Sequence, residues 1–198
     1  MQKKLQEISN ITLGYTFRGS VVDDLRGDVF VVQAKNINAN IEIKDTTGLT
    51  CVSSDPIRNP FFLEKNDILI VSRGSGQGSF RSTIFLSEDK NVIASSSVHI
   101  IRVTDITVIP KYVSLYLNSA EGQKDLMQIV TGGSYIQSIL VKNLTSLKIP
   151  IPPIHIQKSI VALHENIKQQ EKLLERKEQI KQNIINATFT NLINKQTS

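Results

Sequence analysis

The residues best suited to chemistry lie in Val71-Ser72-Arg73-Gly74-Ser75-Gly76-Gln77-Gly78-Ser79-Phe80-Arg81, where three glycines alternate with small polar residues between two arginines. Glycines let a backbone approach a ligand closely, and the flanking guanidinium groups suit anions. The loop lacks the Gly-Lys-Ser/Thr ending of a nucleotide-binding loop, and a strand rather than a helix is predicted after it. A kinase-type glycine loop needs catalytic Asp and Asn motifs, and none appears. Duplex DNA fits better: Arg73 or Arg81 can take guanine or phosphate, Gln77 can pair adenine, and the Ser75 and Ser79 hydroxyls can hold phosphate oxygens. A mobile surface hairpin without a ligand is the competing reading.

Other candidates are weaker. Gly14-Tyr15-Thr16-Phe17-Arg18-Gly19 sets aromatics and a cation between two glycines. Tyr15, Thr16 and Arg18 can contact phosphate or base on a loop, while Tyr15 and Phe17 serve equally well as core. Asn59-Pro60-Phe61-Phe62 lacks the second proline of an amino-methyltransferase motif, and no methyl-donor glycine turn precedes it, so Phe61 and Phe62 are read as a core anchor. Ser95-Ser96-Ser97 offers hydroxyls without a base and matching acid, which leaves nucleophilic catalysis unsupported. His99 is expected to alternate outward or to enter a satisfied core position. Glu88 and Asp89 lack a metal-binding set, the three histidines (His99, His155, His164) have no ligand spacing, and one cysteine, Cys51, excludes an internal disulfide. No catalytic residue, metal or bound cofactor is predicted.

The elements that must position these residues fall into two kinds. From Val29 onward short apolar runs read as strands: Phe30 to Ala34, Gly48 to Val52, Asp67 to Ser72, Ser82 to Leu86 and Val98 to Val103. They are too short and closely set for a doubly wound sheet, so a bent, mostly antiparallel sheet or partial barrel is expected. Leu5, Ile8 and Ile11 suggest a short helix; residues after Pro110, and again after Gly122, look helical. Thr131 to Ile139 reads as a flexible break. Leu144, Leu147 and Ile149 then alternate as if in a last strand under the sheet.

From Ile154 to about Ile193 there is neither proline nor glycine, and apolar residues recur at helical spacing, among them Ile160, Leu163, Ile167, Leu174, Ile180 and Ile184. Prolines at 150, 152 and 153 place the helix start near Pro153. Some forty helical residues make a rod of roughly 60 Å, longer than a domain of this size is wide. Its apolar seam needs a second helix unless the rod folds back on its own domain. The register slips between Leu174 and Ile180, and Lys177 and Lys181 interrupt the heptad, so a short antiparallel pair is expected.

With 198 residues and a formal net charge of +5 the chain holds one domain plus this arm, and its charge mildly favours an acidic partner. No acid lies between Asp67 and Glu88 or between Asp125 and Glu165, the latter window holding Lys142, Lys148 and Lys158. There is no leader-like apolar segment and no run long enough for a membrane span, so a cytoplasmic protein is expected.

In order and spacing, several phrases resemble the specificity (S) subunits of type I restriction-modification enzymes. They are Lys4-Leu5 through Gly14-Tyr15-Thr16-Phe17-Arg18-Gly19, Gln33-Ala34-Lys35-Asn36-Ile37-Asn38, Asn66 through Gly74, Ile109-Pro110-Lys111-Tyr112-Val113, Gly133-Ser134 to Ile139, and Leu147 through Pro153 with Gln157 beyond. Ile156 departs from the pattern, standing where the family commonly has Glu. The resemblance implies an α+β fold: a target-recognition domain over residues 1–152 and a long dimerisation or spacer helix over 153–198. It implies a non-catalytic, half-length subunit that pairs with itself and reads a split palindrome in double-stranded DNA. Modification (methyltransferase) subunits, and a restriction subunit where present, would bind S-adenosylmethionine, ATP and Mg and carry the catalysis. Lys35, Tyr135, Gln137 and Lys142 join the loop residues as expected DNA contacts. A coiled-coil scaffold whose head binds protein is the alternative from a different class.

Overall fold

The computed structural model describes residues 1–196 except 40, 56, 77 and 134, and of residues 191–196 the backbone alone. The chain divides into two compact units, Met1–Lys158 and Ser159–Ser198. The first unit opens with β1 (Gln2–Lys4), α1 (Leu5–Ile8), β2 (Ser9–Leu13), β3 (Val29–Val32), a 3-10 turn (Ala34–Asn36) and β4 (Thr50–Val52). Then come β5 (Ile68–Val71), β6 (Arg73–Gly74), β7 (Ser82–Ile84), β8 (Val92–Ala94) and β9 (Val98–Val103). It closes with α2 (Pro110–Asn118), α3 (Ala120–Ile129), β10 (Val130–Gly132), β11 (Gln137–Ile139), α4 (Val141–Ser146) and β12 (Lys148–Pro150), and α5 (Ile154–Gln196) follows.

All four residues of β5 are buried, as befits a strand covered on both faces. It lies inside an antiparallel sheet of order β2-β9-β5-β7. Leu69 and Val71 of β5 join Val98 and Ile100 of β9 on one face, packed against Val32, Val92 and Ala94 of a second sheet, β4-β3-β8. Phe85, Leu63 and Ile37 complete this core. The alternate residues Ile68, Ile70 and Ile101 are equally buried on the other face. There α2 packs along β5 and β7, and Ser82 Oγ, wholly buried, donates to Ser114 O at 3.0 Å.

One ion-pair cluster gathers where β5 begins, beside the C-terminal part of β9. Arg102 grips Asp67 with two bonds of 2.8 Å, reaches Glu64 at 2.6 Å, and lies 4.5 Å above the Phe61 ring. The Asp67 bonds, ahead of any other influence, push the Arg102 pKa up. Glu42 pairs with Lys111 and Lys3 with Asp105. Asp67 and Glu42 are thus carboxylates that pair with cations inside the fold.

The architecture is α+β with antiparallel sheets, short helices and a long C-terminal helix, and four local expectations change. Ile11 sits on β2, not on a helix, because the whole run Ser9–Leu13 finds partners along β9. Thr131 to Ile139 is no break: β10 and β11 form a hairpin, register Val130↔Ile139 to Gly132↔Gln137. Leu144 lies on α4, and Ile149 on β12 pairs with Lys3 of β1 rather than under the central sheet. Phe61 packs on the core, but Phe62 is 41% exposed.

Helix α5 runs 43 residues, its first turn fixed by Gln157. Its apolar residues Ile160, Leu163, Ile167, Leu174, Ile180 and Ile184 are all exposed. Among the described residues no helix is long and apolar enough to cross a membrane.

Candidate nucleic-acid interface

The pairing of β2, β9 and β5 gathers three distant segments at one end of the four-stranded sheet. Leu13 pairs with His99 and Val71 with Val98, so the loop after β2, the turn before β9 and the loop after β5 all leave the sheet there. The serine turn is their clasp. Ser96 N–H donates to Tyr15 O at 2.8 Å, Ser72 N–H donates to Ser97 O at 2.9 Å, and Ser72 Oγ donates to Ser96 O at 3.1 Å. Ser97 Oγ accepts Ala34 N–H at 3.1 Å, bringing in the turn that carries Lys35. Gly14 fits because its backbone runs against β8: a Cβ there would lie 2.2 Å from Ser95 O. None of this is visible in a triplet of serines read alone.

The glycine loop and the second glycine segment, far apart in sequence, share one three-stranded sheet of order β10-β11-β6. Ser138 pairs with Arg73 and Gln137 with Gly74, while Ile139 N–H donates to Ser72 O at 2.9 Å. Alternation puts Arg73, Ser138 and Thr131 on one face and Gln137, Gly74 and Gly132 on the other. Arg73 and Gln137 therefore point to opposite sides. Arg73, Ser75 and Lys142 are exposed, and the hairpin tip shows Tyr135 at 90% and Ile136 at 67% exposure.

The loop between β6 and β7 is held from beneath by a residue that sequence reasoning missed. Gln123 of α3, 7% exposed, accepts Gly78 N–H at 3.1 Å and donates to Phe80 O at 3.0 Å and Leu117 O at 2.7 Å. Gly76 and Gly78 adopt φ of +140° and +82°, open only to glycine at low cost. Ser79 Oγ accepts Ser75 N–H at 3.2 Å and keeps its own proton to donate. Its signal in the sequence is absent, since a glutamine on a helix face looks like any solvated position.

The remaining predicted residues are placed as follows. Arg81 spends its Nε–H on Ile37 O at 3.2 Å, leaving the outer guanidinium nitrogens. Lys35 reaches Thr50 Oγ1 at 3.5 Å. Thr16 and Arg18 are exposed beside half-buried Tyr15, and Lys142 lies in the first turn of α4, shortly after β11. Gln77 lies outside the described residues. Gln137 Oε1 is buried and has no partner among the described residues. His99, 3% exposed, meets Ile139 O through Nε2 at 2.6 Å, and its Nδ1 is buried without a partner among the described residues. Burial, against the opposing pull of that bond, lowers the His99 pKa, so the ring is neutral and donates from Nε2. Among the described residues no group of His, Cys, Asp or Glu is placed to hold a metal ion.

No curated protein matches the sequence. Solved structures do. The chain aligns with the HsdS subunit from Thermoanaerobacter tengcongensis at TM-score 0.59 and 20% identity, covering 89% of this chain and 39% of that one. For the S subunit of a type I restriction-modification system from M. genitalium the values are 0.53, 16%, 82% and 37%. A chain from a structure of the type I R-M system, solved to explain its complex assembly and conformational transition, gives 0.61, 20%, 89% and 40%. The chain thus spans about two fifths of the length of each. At these identities the likeness shows a common fold. The model of the type I restriction modification DNA specificity domain matches residues 1–184, and the chain belongs to that family.

Proposed function

We propose that the chain is the DNA sequence-recognition part of a type I restriction-modification complex, that residues 1–152 read the bases, and that it has no catalytic step of its own. The observation that carries this reading is the family match over residues 1–184. The gathering of Arg73, Ser75, Tyr135, Lys35 and Arg18 around one sheet end supports it, since guanidinium, hydroxyl and aromatic groups on loops are what groove recognition uses. Residues 153–198 pair antiparallel with the same helix of a second copy, burying the seam of Ile160, Leu163, Ile167, Leu174, Ile180 and Ile184. The exposure of those residues favours this pairing. A two-fold pair displays one reading surface twice in opposite orientation, so the target is a split palindrome. Methyltransferase subunits, with S-adenosylmethionine, and a restriction subunit with ATP and Mg, bring the chemistry.

Duplex binding measured against salt tests the reading. Lys142→Ala weakens all sequences alike and flattens the salt dependence. Arg73→Ala costs about 1 to 3 kcal/mol on the selected site only. Unchanged binding in both variants sinks the assigned surface. Ile167→Asp with Leu174→Asp converts a dimer into a monomer in sedimentation; a wild-type chain that stays monomeric refutes the pairing.

A further inference from the structure

A second feature opens on the opposite face of the β4-β3-β8 sheet from the main core. Tyr15 and Phe17 meet edge to face, with centroids 4.9 Å apart and planes at 73°. With Ile57 they pack over Val29, Val31, Val52 and Ile93. These three apolar side chains also line a cleft of about 560 Å³ whose charged members are Arg18, Asp55 and Arg58. Arg58 N–H donates to the Tyr15 hydroxyl at 3.4 Å, linking the two segments that form the cleft. Arg18 and Arg58 are exposed, and neither guanidinium has an ion-pair partner among the described residues. Tyr15 is also the residue that the serine turn ties to the base of the glycine loop, so cleft and reading surface are neighbours.

The chemistry is that of a nucleotide. The volume falls within the range of roughly 300–1,000 Å³ found for small-molecule sites. An apolar, partly aromatic floor accepts the flat face of a base, which a phosphate alone would leave unused. Two guanidinium groups suit a phosphate, for which arginine's planar fork is shaped. Asp55 offers a carboxylate to an exocyclic amine, the group that a carboxylate reads on a base edge. A purely apolar ligand would strand all three charges.

We propose that this cleft holds one nucleotide unit, supplied by the bound DNA as an unstacked residue: base on Tyr15, Phe17 and Ile57, phosphate between Arg18 and Arg58, amine against Asp55. The proposal rests on the DNA-binding reading above for the source of the nucleotide. Extrusion costs stacking energy and is least costly at a mismatch, so the cleft favours distorted sites.

The test has two arms on the full chain. In the first, the ¹⁵N-labelled protein is titrated with dCMP, dAMP and inorganic phosphate. Amide signals of residues 15–18, Asp55, Ile57 and Arg58 shift with the nucleotides, at an apparent Kd about tenfold below that for phosphate. Arg58→Ala weakens the nucleotide effect about tenfold, as loss of one charge-assisted contact requires, with an unchanged urea midpoint. In the second arm, a duplex carries 2-aminopurine opposite a mismatch. Wild type raises its fluorescence, and Arg58→Ala loses the rise while retaining duplex affinity. Response in both arms supports the proposal. Equal shifts with phosphate and nucleotide overturn it, as does silence in both arms. Nucleotide response with bound but dark duplex overturns the DNA source in favour of a free nucleotide. If wild type binds no duplex at all, the DNA reading fails instead, and the first arm alone decides the cleft.

Discussion

Replacing Gln123 by alanine removes one amide that serves three partners, and the cost follows from where those partners lie. Gly78, whose N–H donates to Oε1, is exposed, so water replaces that bond at little net cost. Phe80 is wholly buried and Leu117 likewise, and their carbonyls lose the two bonds of 3.0 and 2.7 Å from Nε2. A buried acceptor left without a partner costs about 1 to 3 kcal/mol, so losing two destabilises the fold by about 2 to 6 kcal/mol. For a chain of this size that lowers Tm by roughly 4 to 24 °C, at about 2 to 4 °C per kcal/mol. Urea titration followed by far-UV circular dichroism reads the loss, and the chain has no tryptophan to complicate a tyrosine signal. Trypsin cleavage after Arg73 and Arg81 also accelerates, because the loop loses its tether. Gln123→Glu sharpens the argument: an ionised carboxylate cannot donate to either carbonyl, so the loss of this variant relative to the unaltered chain at the same pH is larger at pH 8 than at pH 5. A loss under 1 kcal/mol for Gln123→Ala, or an equal loss for Gln123→Glu relative to the unaltered chain at both pH values, refutes the tether.

Further outcomes follow from the same structure. Gln157, wholly buried, accepts Ile109 N–H at 2.9 Å and donates to Thr107 O at 3.0 Å and Pro152 O at 2.8 Å; Gln157→Ala costs about 3 kcal/mol in urea unfolding. Burial makes His99 harder to protonate in the fold than in the unfolded chain, where it titrates near its ordinary value of 6.5. The unfolded state therefore binds more protons below that pH, so stability is full above about pH 7 and drains as pH falls; His99→Gln flattens the slope between pH 7 and 5. Gly14→Ala would set a Cβ 2.2 Å from Ser95 O and 2.6 Å from Ala94 O. Both are backbone atoms that cannot swing aside, so the variant loses about 3 kcal/mol in thermal unfolding and binds duplex more weakly.

Legibility divides along local and non-local lines. The long helix was readable because Ile160 to Ile184 repeat without a glycine or proline to interrupt them, and β5 and β9 because Ile68–Val71 is an unbroken apolar run and Val98–Val103 is rich in β-branched residues. Ile11 misled because Leu5, Ile8 and Ile11 are three apart, whereas a whole partner strand in β9 outweighs that weak helical spacing. The β10–β11 hairpin was hidden for the opposite reason: Gly132, Gly133 and Ser138 look like breakers, and the strand earns its place by pairing with the two-residue β6 some 64 residues away in the chain. Both glycine-bearing segments were singled out from sequence, but not that they share a sheet. The serine turn and Gln123 were beyond reach, since their bonds join residues 63, 24 and 45 positions apart.

The central claim, that a paired non-catalytic reader fixes the target through the surface around Arg73, meets its most direct test in selection from a randomised duplex library with the methyltransferase subunit present. The account predicts enrichment of two inverted half-sites separated by unread bases, with preference at one position relaxed by Arg73→Ala. Recovery of a single unsplit, asymmetric site, or no enrichment, contradicts it.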